Sequence, residues 1–217
     1  MANDVAADAV VRLLGPVRAK RVLQLGCGTG ETAIRFVQQG ATVISVDSSD
    51  ESITNARAAA DVAEVRLDFH PGDLADLAFL RADSIDLAVS DGALAEVADL
   101  GRLFRQVHRV LKHGAAFVFS LPHPFALGAD VETPPDGALP LGRTYVARSY
   151  FDTSPVDIGP EGRPQLVVGH TLSEVFTGLT RTGFRVDTLL EPEPDRGQGA
   201  RALLPGSVVW RGRKEGS

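Results

Sequence analysis

The sequence predicts a doubly wound α/β domain, and three observations predict it. Short, nearly all-apolar runs alternate with segments whose apolar residues recur at helical spacing, the pattern of a parallel sheet covered on both faces. At 22–36, VLQLGCGTGETAIRF passes from an apolar run through three glycines into a helical pattern. A strand-to-helix turn of that kind presents bare backbone N–H groups and a helix N-terminus to a ligand. The chain has 217 residues, 44% of them hydrophobic, enough to bury one core. Residues 1–217 are therefore expected to form a single domain.

Each element follows from local pattern. Ala6, Val10, Leu13 and Leu14 fall on one helical face, and Gly15 and Pro16 end that helix. RVLQL at 21–25 reads as a strand, ETAIRFVQQ as a helix closed by Gly40, and TVISVD as the second strand. DESITNARAAA is a helix and EVRLDF at 64–69 a third strand. SIDLAVS at 84–90 is the fourth, followed by the helix LGRLFRQVHRVL, ended by Gly114, and the fifth strand AAFVFSL at 115–121. Periodicity then fails across 128–165, which is crowded with proline and glycine. A loop this long in a compact domain is a lid or a linker. The island TYVARSYF favours a lid with a short strand or hairpin. TLSEVFTGLTRT gives a last helix with Gly183 at its end, and FRVDTLLE and SVVWRG complete seven strands.

Composition excludes several classes of function. The net charge of −6 and the absence of a Lys/Arg-rich run argue against nucleic acid. Cys27 is the only cysteine, so neither a disulfide framework nor a cysteine metal site is available. The acidic opening MANDVAADAVVRLLG is a poor signal peptide, and no apolar run approaches the ~20 residues of a membrane span. A cytoplasmic protein without membrane contact is expected.

The glycines narrow the ligand. A dinucleotide turn reads G-x-G-x-x-G, whereas here Gly26, Gly28 and Gly30 alternate and the third-glycine position holds Glu31. A carboxylate there opposes a pyrophosphate, which disfavours a nucleotide-dependent oxidoreductase. No phosphate-binding G-x-x-x-x-G-K-[ST] loop is present either.

These segments together resemble the class I S-adenosylmethionine-dependent methyltransferases, in particular the small-molecule branch that includes quinone-biosynthesis enzymes. VLQLGCGTG resembles the family's first motif, VISVDSSDESITNAR its second, HPGDLADL its adenine-holding segment and SIDLAVSDGALAEV its fourth-strand motif. VHRVLKHGAAFVFSLPHP and HTLSEVFTGLTRTGFRVDTLLEPEP are similar to its later segments, so the resemblance runs from about Val22 to Trp210. It implies a Rossmann-like, mostly parallel seven-stranded sheet with a lid inserted after strand five, and S-adenosyl-L-methionine as cofactor.

Carried onto this chain, the resemblance makes Gln24, Gly26, Cys27, Gly28, Thr29 and Gly30 cofactor contacts, the glycines letting the methionine portion lie against backbone. Asp47, with Ser48, is expected to hold both ribose hydroxyls; its other reading is a helix cap. Asp73 is expected to accept from the adenine amine, with Gly72 beside it and Leu74 packing the ring; its other reading is a plain turn. Asp91 and Gly92 close the cofactor set.

Methyl transfer needs the nucleophile held near attack distance and water excluded, and a base helps an oxygen nucleophile. His123, His170 and Asp91 are the catalytic candidates, because ligands of open α/β sheets bind at the strands' C-terminal edge. The other reading of His123 is a brace for its Pro-His-Pro turn, and that of His170 a neighbour of the helix cap at Thr171. Tyr145, Tyr150 and Phe151 are expected on the lid, against substrate. No metal is expected: relatives that bind one pair the acid after strand four with Asp-Asn after strand five, where SLPHP stands here. The expected function is methyl transfer to a small molecule, at oxygen, nitrogen or carbon with oxygen ahead, in a possible homo-oligomer. The alternative is a catalytically silent cofactor-binding module serving a partner protein.

Overall fold

The protein is described by a computed structural model, which covers residues 3–132, 143–159, 164–194 and 204–216. Helix α1 (Asn3–Leu14) precedes β1 (Arg21–Leu25), α2 (Glu31–Gln38), β2 (Thr42–Asp47), α3 (Asp50–Val62) and the edge strand β3 (Asp68–Pro71). There follow β4 (Ile85–Ser90), a 3₁₀ turn at Ala93–Glu96, α4 (Leu100–Val110), β5 (Leu111–Pro122) and a short α5 (Pro124–Gly128). The insertion contributes β6 (Ala129–Glu132), β7 (Arg143–Val146), β8 (Val156–Asp157) and β9 (Leu166–Val167); α6 (Leu172–Arg181), β10 (Phe184–Leu190) and β11 (Ser207–Lys214) close the chain.

Seven strands form one sheet in the order β10-β11-β5-β4-β1-β2-β3. Strands β1 to β5 pair in parallel, and β11 runs antiparallel to both β5 and β10. Alternate residues of each central strand face opposite layers, as the period of two requires. Leu23, Leu25, Phe117 and Phe119 point to the layer that holds α4 and α6, while Val22, Ala116 and Val118 join the layer of α1 and α2. The double winding is thus written into which apolar residues alternate.

Three boundaries differ from the periodic reading. The third strand is displaced from 64–69 to Asp68–Pro71. The end of α3 takes up residues 63–65: Glu64 is left-handed at φ 53° and the Val65 N–H donates to the Ala60 carbonyl at 3.1 Å. Gly114 does not end a helix. Helix α4 stops at Val110 because Leu111, fully buried, is already extended opposite Ile85; Gly114, at φ 73°, lies in the bulge before pairing resumes at Leu87 and Ala116. The turn Ala93–Glu96 and α5, with Pro124 in its first turn, carry too few residues for periodicity to reveal them.

The expected lid is partly strand, as its aromatic island suggested. β6 and β7 pair as an antiparallel ladder, Asp130 opposite Tyr145, and β8 pairs with β9. Residues 133–142 and 160–163 of the predicted insertion lie outside the described residues. The segment is seated on the domain: Val168 N–H donates to the Ala95 carbonyl at 2.7 Å, and the Ala147 and Arg148 N–H groups converge on the Gly128 carbonyl. Among the described residues no helix is long and apolar enough to cross a membrane.

The last two strands are locked by Asp187, which accepts from Arg211 and Arg213 at 2.7 Å each. Burial pushes the Asp187 carboxyl up, but the two guanidinium groups outweigh it and hold it below the usual carboxylate range. Asp187→Asn is expected to cost about 1–2 kcal/mol at neutral pH, the scale of hydrogen bonds to a charged group reduced for the more exposed Arg213. Because the folded-state value is the lower one, this stability is fully present above the unfolded value, about 4, and disappears as pH falls through the folded one. Urea titrations of both proteins across pH 2–7 should converge at the acid end.

Candidate functional site

The C-terminal ends of β1, β2 and β4 carry the candidate cofactor residues. Gly26 is left-handed (φ 83°), its N–H donates to the Val46 carbonyl at 2.8 Å, and a Cβ there would stand 2.2 Å from Ala93 Cβ. Gly30 (φ 84°) faces Ala56 of α3, where a Cβ would approach to 3.0 Å. Gly28 (φ 49°) differs, since a Cβ there would meet nothing within 4 Å. Two glycines are thus required by packing. The third leaves the turn open on one side.

Asp47 organises that opening. Its Oδ2 accepts the Cys27 N–H at 2.7 Å and its Oδ1 the Ser49 N–H at 2.9 Å, while its backbone carbonyl accepts the Gly72 N–H at 2.9 Å. The turn after β1, the start of α3 and the turn after β3 are therefore tied to one residue. The cap of α3 is Ser49, whose Oγ accepts the Ser52 N–H at 3.2 Å, so Asp47 is not the helix cap. A carboxylate offers about four acceptor positions. Each oxygen of Asp47 uses one position on the backbone donors named and the Cys27 thiol also bonds to the carboxylate, which leaves acceptor capacity for a ribose hydroxyl. These residues fit the ribose and methionine portions of S-adenosylmethionine.

Several predicted contacts are otherwise employed. Gln24 is buried, its Oε1 accepting from Ser45 Oγ at 2.9 Å, so it supports the sheet. Leu74 is a core residue, 6% exposed, because residues 72–84 pack their leucines beneath α4. Asp73 is engaged only in part: Oδ1 accepts the Ala75 N–H at 2.8 Å and Oδ2 pairs with Arg102 at 3.2 Å, and the half-exposed carboxylate keeps acceptor capacity on each oxygen. Thr29 and Ser48 are exposed beside the opening. Cys27 is buried; burial first, and then the neighbouring Asp47 charge, push its thiol up to about 12, which keeps it protonated and unreactive.

Beyond β4, Asp91 Oδ1 accepts from Ser120 Oγ at 2.6 Å, and the same hydroxyl accepts the Gly92 N–H at 2.8 Å. Asp91 as a residue is exposed, but desolvation of its carboxyl by the surrounding strand ends pushes it above its usual range, against the Ser120 hydrogen bond. Ser120 went unnoticed in the sequence, where its only signal is one hydroxyl at the end of an apolar strand. His123 is almost wholly buried with both ring nitrogens engaged: Nε2 with Glu191 at 2.9 Å, and Nδ1 accepting the Phe125 N–H at 3.2 Å as the cap of α5. It braces the turn. His170 Nε2 bonds the Val97 carbonyl at 3.1 Å, and burial lowers its pKa, with the carbonyl acting in opposition. It lines a cavity of about 290 Å³ with Ala98, Asp99, Gly101, Phe104 and Glu174.

The three aromatics expected on a lid divide. Tyr150 Oη accepts the Leu172 N–H at 3.2 Å, anchoring the segment on the first turn of α6. Tyr145 Oη donates to Asp130 at 3.2 Å on the outer ladder, and Phe151 is 78% exposed with its ring against Tyr150.

Comparison with known proteins agrees with this geometry. A family model described as "Methyltransferase domain" matches residues 23–119. A structure of an S-adenosylmethionine-dependent methyltransferase from Mesorhizobium loti superposes with a TM-score of 0.80 at 28% identity, covering 97% of this chain and 98% of that one. The ubiquinone biosynthesis O-methyltransferase of Azorhizobium caulinodans is 28% identical over 50% of this chain and 43% of its own length. The magnesium-protoporphyrin O-methyltransferase of Rhodobacter capsulatus is 30% identical over 55% and 52%. The chain thus spans about half the length of these two curated relatives.

The glycines separate stability from ligand binding. Gly26→Ala is expected to cost about 2–4 kcal/mol, from left-handed strain plus the clash with Ala93. Gly28→Ala should cost only about 1–2 kcal/mol, the backbone part alone. Its Cβ stands on the open side, so it should lose more affinity for S-adenosylhomocysteine than stability. Chemical denaturation and calorimetry on both variants measure the two effects.

Proposed function

Because the chain belongs to the class I S-adenosylmethionine-dependent methyltransferases, we propose that it methylates a small molecule, with a hydroxyl oxygen the favoured acceptor. The observation that carries this reading is the open side of the turn at 26–30, flanked by the Asp47 carboxylate and followed across β4 by Asp91. When bound, S-adenosylmethionine supplies an electrophilic sulfonium methyl group. Gly28 leaves room for the methionine portion, and Asp47 accepts from the ribose hydroxyls. Residues 164–169 rest on the turn Ala93–Glu96 through the Val168–Ala95 hydrogen bond, two residues beyond Asp91, a placement suited to excluding water from the end of β4.

Two groups can take a proton from the acceptor. Asp91 accepts from Ser120, and partial desolvation of its carboxyl raises its basicity although the residue stays exposed. His170 donates Nε2–H to Val97, which leaves Nδ1 as the proton-accepting nitrogen. His123 is assigned a bracing role, since both of its nitrogens are engaged. The quinone and porphyrin O-methyltransferase relatives support an oxygen acceptor.

The test is incubation with methyl-labelled S-adenosylmethionine and a panel of phenols, amines and carbon acids, followed by mass spectrometry. Label on a phenolic oxygen with release of S-adenosylhomocysteine is expected; tight cofactor binding with no transfer to any member would favour the silent module. If Asp91 is the base, Asp91→Asn should lower turnover by about 10²–10⁴. The parent's rate should then rise with pH through a value above the usual carboxylate range. If His170 is the base, His170→Gln should show the loss instead, with the rise at a value below the usual imidazole range.

A further inference from the structure

The first turn of α4 departs from what a helix start favours, and α6 supplies the comparison. There Thr171 caps the helix, its Oγ1 accepting the Glu174 N–H at 3.2 Å while Glu174 Oε2 accepts the Thr171 N–H at 2.9 Å. Helix α4 opens the same way, with Asp99 Oδ1 accepting the Arg102 N–H at 2.8 Å. Yet the position equivalent to Glu174 is Arg102, and no acid stands in that turn. A cation there opposes the helix dipole, and a glutamate would complete a capping box.

The guanidinium is directed elsewhere. Arg102 Nη1 lies 3.2 Å from Asp73 Oδ2, with both side chains about half exposed (50% and 52%). A pair so exposed adds little to stability. Nor does the segment need it for attachment, because Arg109 already donates to the Leu77 carbonyl at 2.7 Å and the Leu80 carbonyl at 2.8 Å, above buried Leu74, Leu77 and Leu80. Positions 102 and 109 lie two turns apart on one face of α4. What Arg102 adds is a fixed orientation of the Asp73 carboxylate, whose other oxygen the Ala75 N–H holds. That carboxylate stands one residue beyond Gly72, which donates to Asp47.

We propose that Arg102 is a positioning residue for the cofactor: by holding Asp73 Oδ2 it aims the carboxylate at the exocyclic amine of the adenine, so that selection of adenine over hypoxanthine depends on α4. The inference rests on the reading of Asp73 as the adenine acceptor. A donor amine at C6 suits an acceptor-only carboxylate, whereas a carbonyl oxygen there meets it with like charge.

Calorimetry with S-adenosylhomocysteine and S-inosylhomocysteine, which differ in this group, tests it on the wild type, Arg102→Met, Arg102→Lys, Asp73→Asn and the Met/Asn double variant. The wild type is expected to prefer the adenine ligand by about ten- to a hundredfold, one charge-assisted hydrogen bond. Arg102→Met should shrink the ratio to about threefold or less, by loss on the adenine side alone, with Arg102→Lys intermediate. Asp73→Asn should do the same, and the double variant should lose no more than either single change. An unchanged ratio in Arg102→Met beside a collapsed one in Asp73→Asn overturns the role of Arg102 and leaves Asp73 standing. An unchanged ratio in Asp73→Asn removes Asp73 as the reader and the proposal with it. Equal losses for both ligands in Arg102→Met make it a structural bracket, which also overturns the proposal.

Discussion

The site depends on one carboxylate. Asp47 receives N–H groups from the turn after β1 and from the start of α3, and its backbone carbonyl receives the N–H of Gly72. Three connections leaving three neighbouring strands are thereby fixed against one another at the sheet's C-terminal edge. Charge-assisted hydrogen bonds to backbone donors are short and strong, and two on one buried side chain leave it little freedom. The glycine turn can then stay open at Gly28 without collapsing, because its shape is imposed from β2 and, through Gly26, by Ala93.

A second anchor governs the other half of the edge. Ser120, in β5, donates to Asp91 and accepts from Gly92, so the connection after β4 takes its shape from the neighbouring strand. The segment around β7, β8 and β9 then rests on that connection through Val168 and Ala95, and on α6 through Tyr150 and Leu172. Histidines that look like free bases in the sequence are mostly consumed by this scaffolding. His123 links α5 to Glu191, whereas His170 keeps one ring nitrogen for other use beside a cavity.

Helix α4 joins the two halves. Its first turn contributes Asp99 and Gly101 to the cavity beside His170, and Arg102 reaches the segment that follows β3. That one turn of helix therefore touches both the cavity beside His170 and the segment after β3.

The sequence by itself determined the layering, the glycine turn and the acid that ends the second strand, because these rest on local chemistry. Alternating apolar residues assign strand faces, left-handed backbone demands glycine, and a carboxylate closing an apolar run stands at a sheet edge. The tertiary structure decided which side chains remain available. Nothing local distinguishes Gly28 from Gly26; the difference is whether Ala93 stands opposite. Nothing local shows that Gln24 is satisfied by Ser45, that Leu74 is core, or that Ser120 holds Asp91 across 29 positions of chain. The ends of β3 and α4 were set the same way, by partners in other strands and in the closing turn of α3. A residue's chemical type is a property of the chain, but its vacant hydrogen-bonding capacity is what remains after distant neighbours have taken their share, and only folding brings those neighbours within reach.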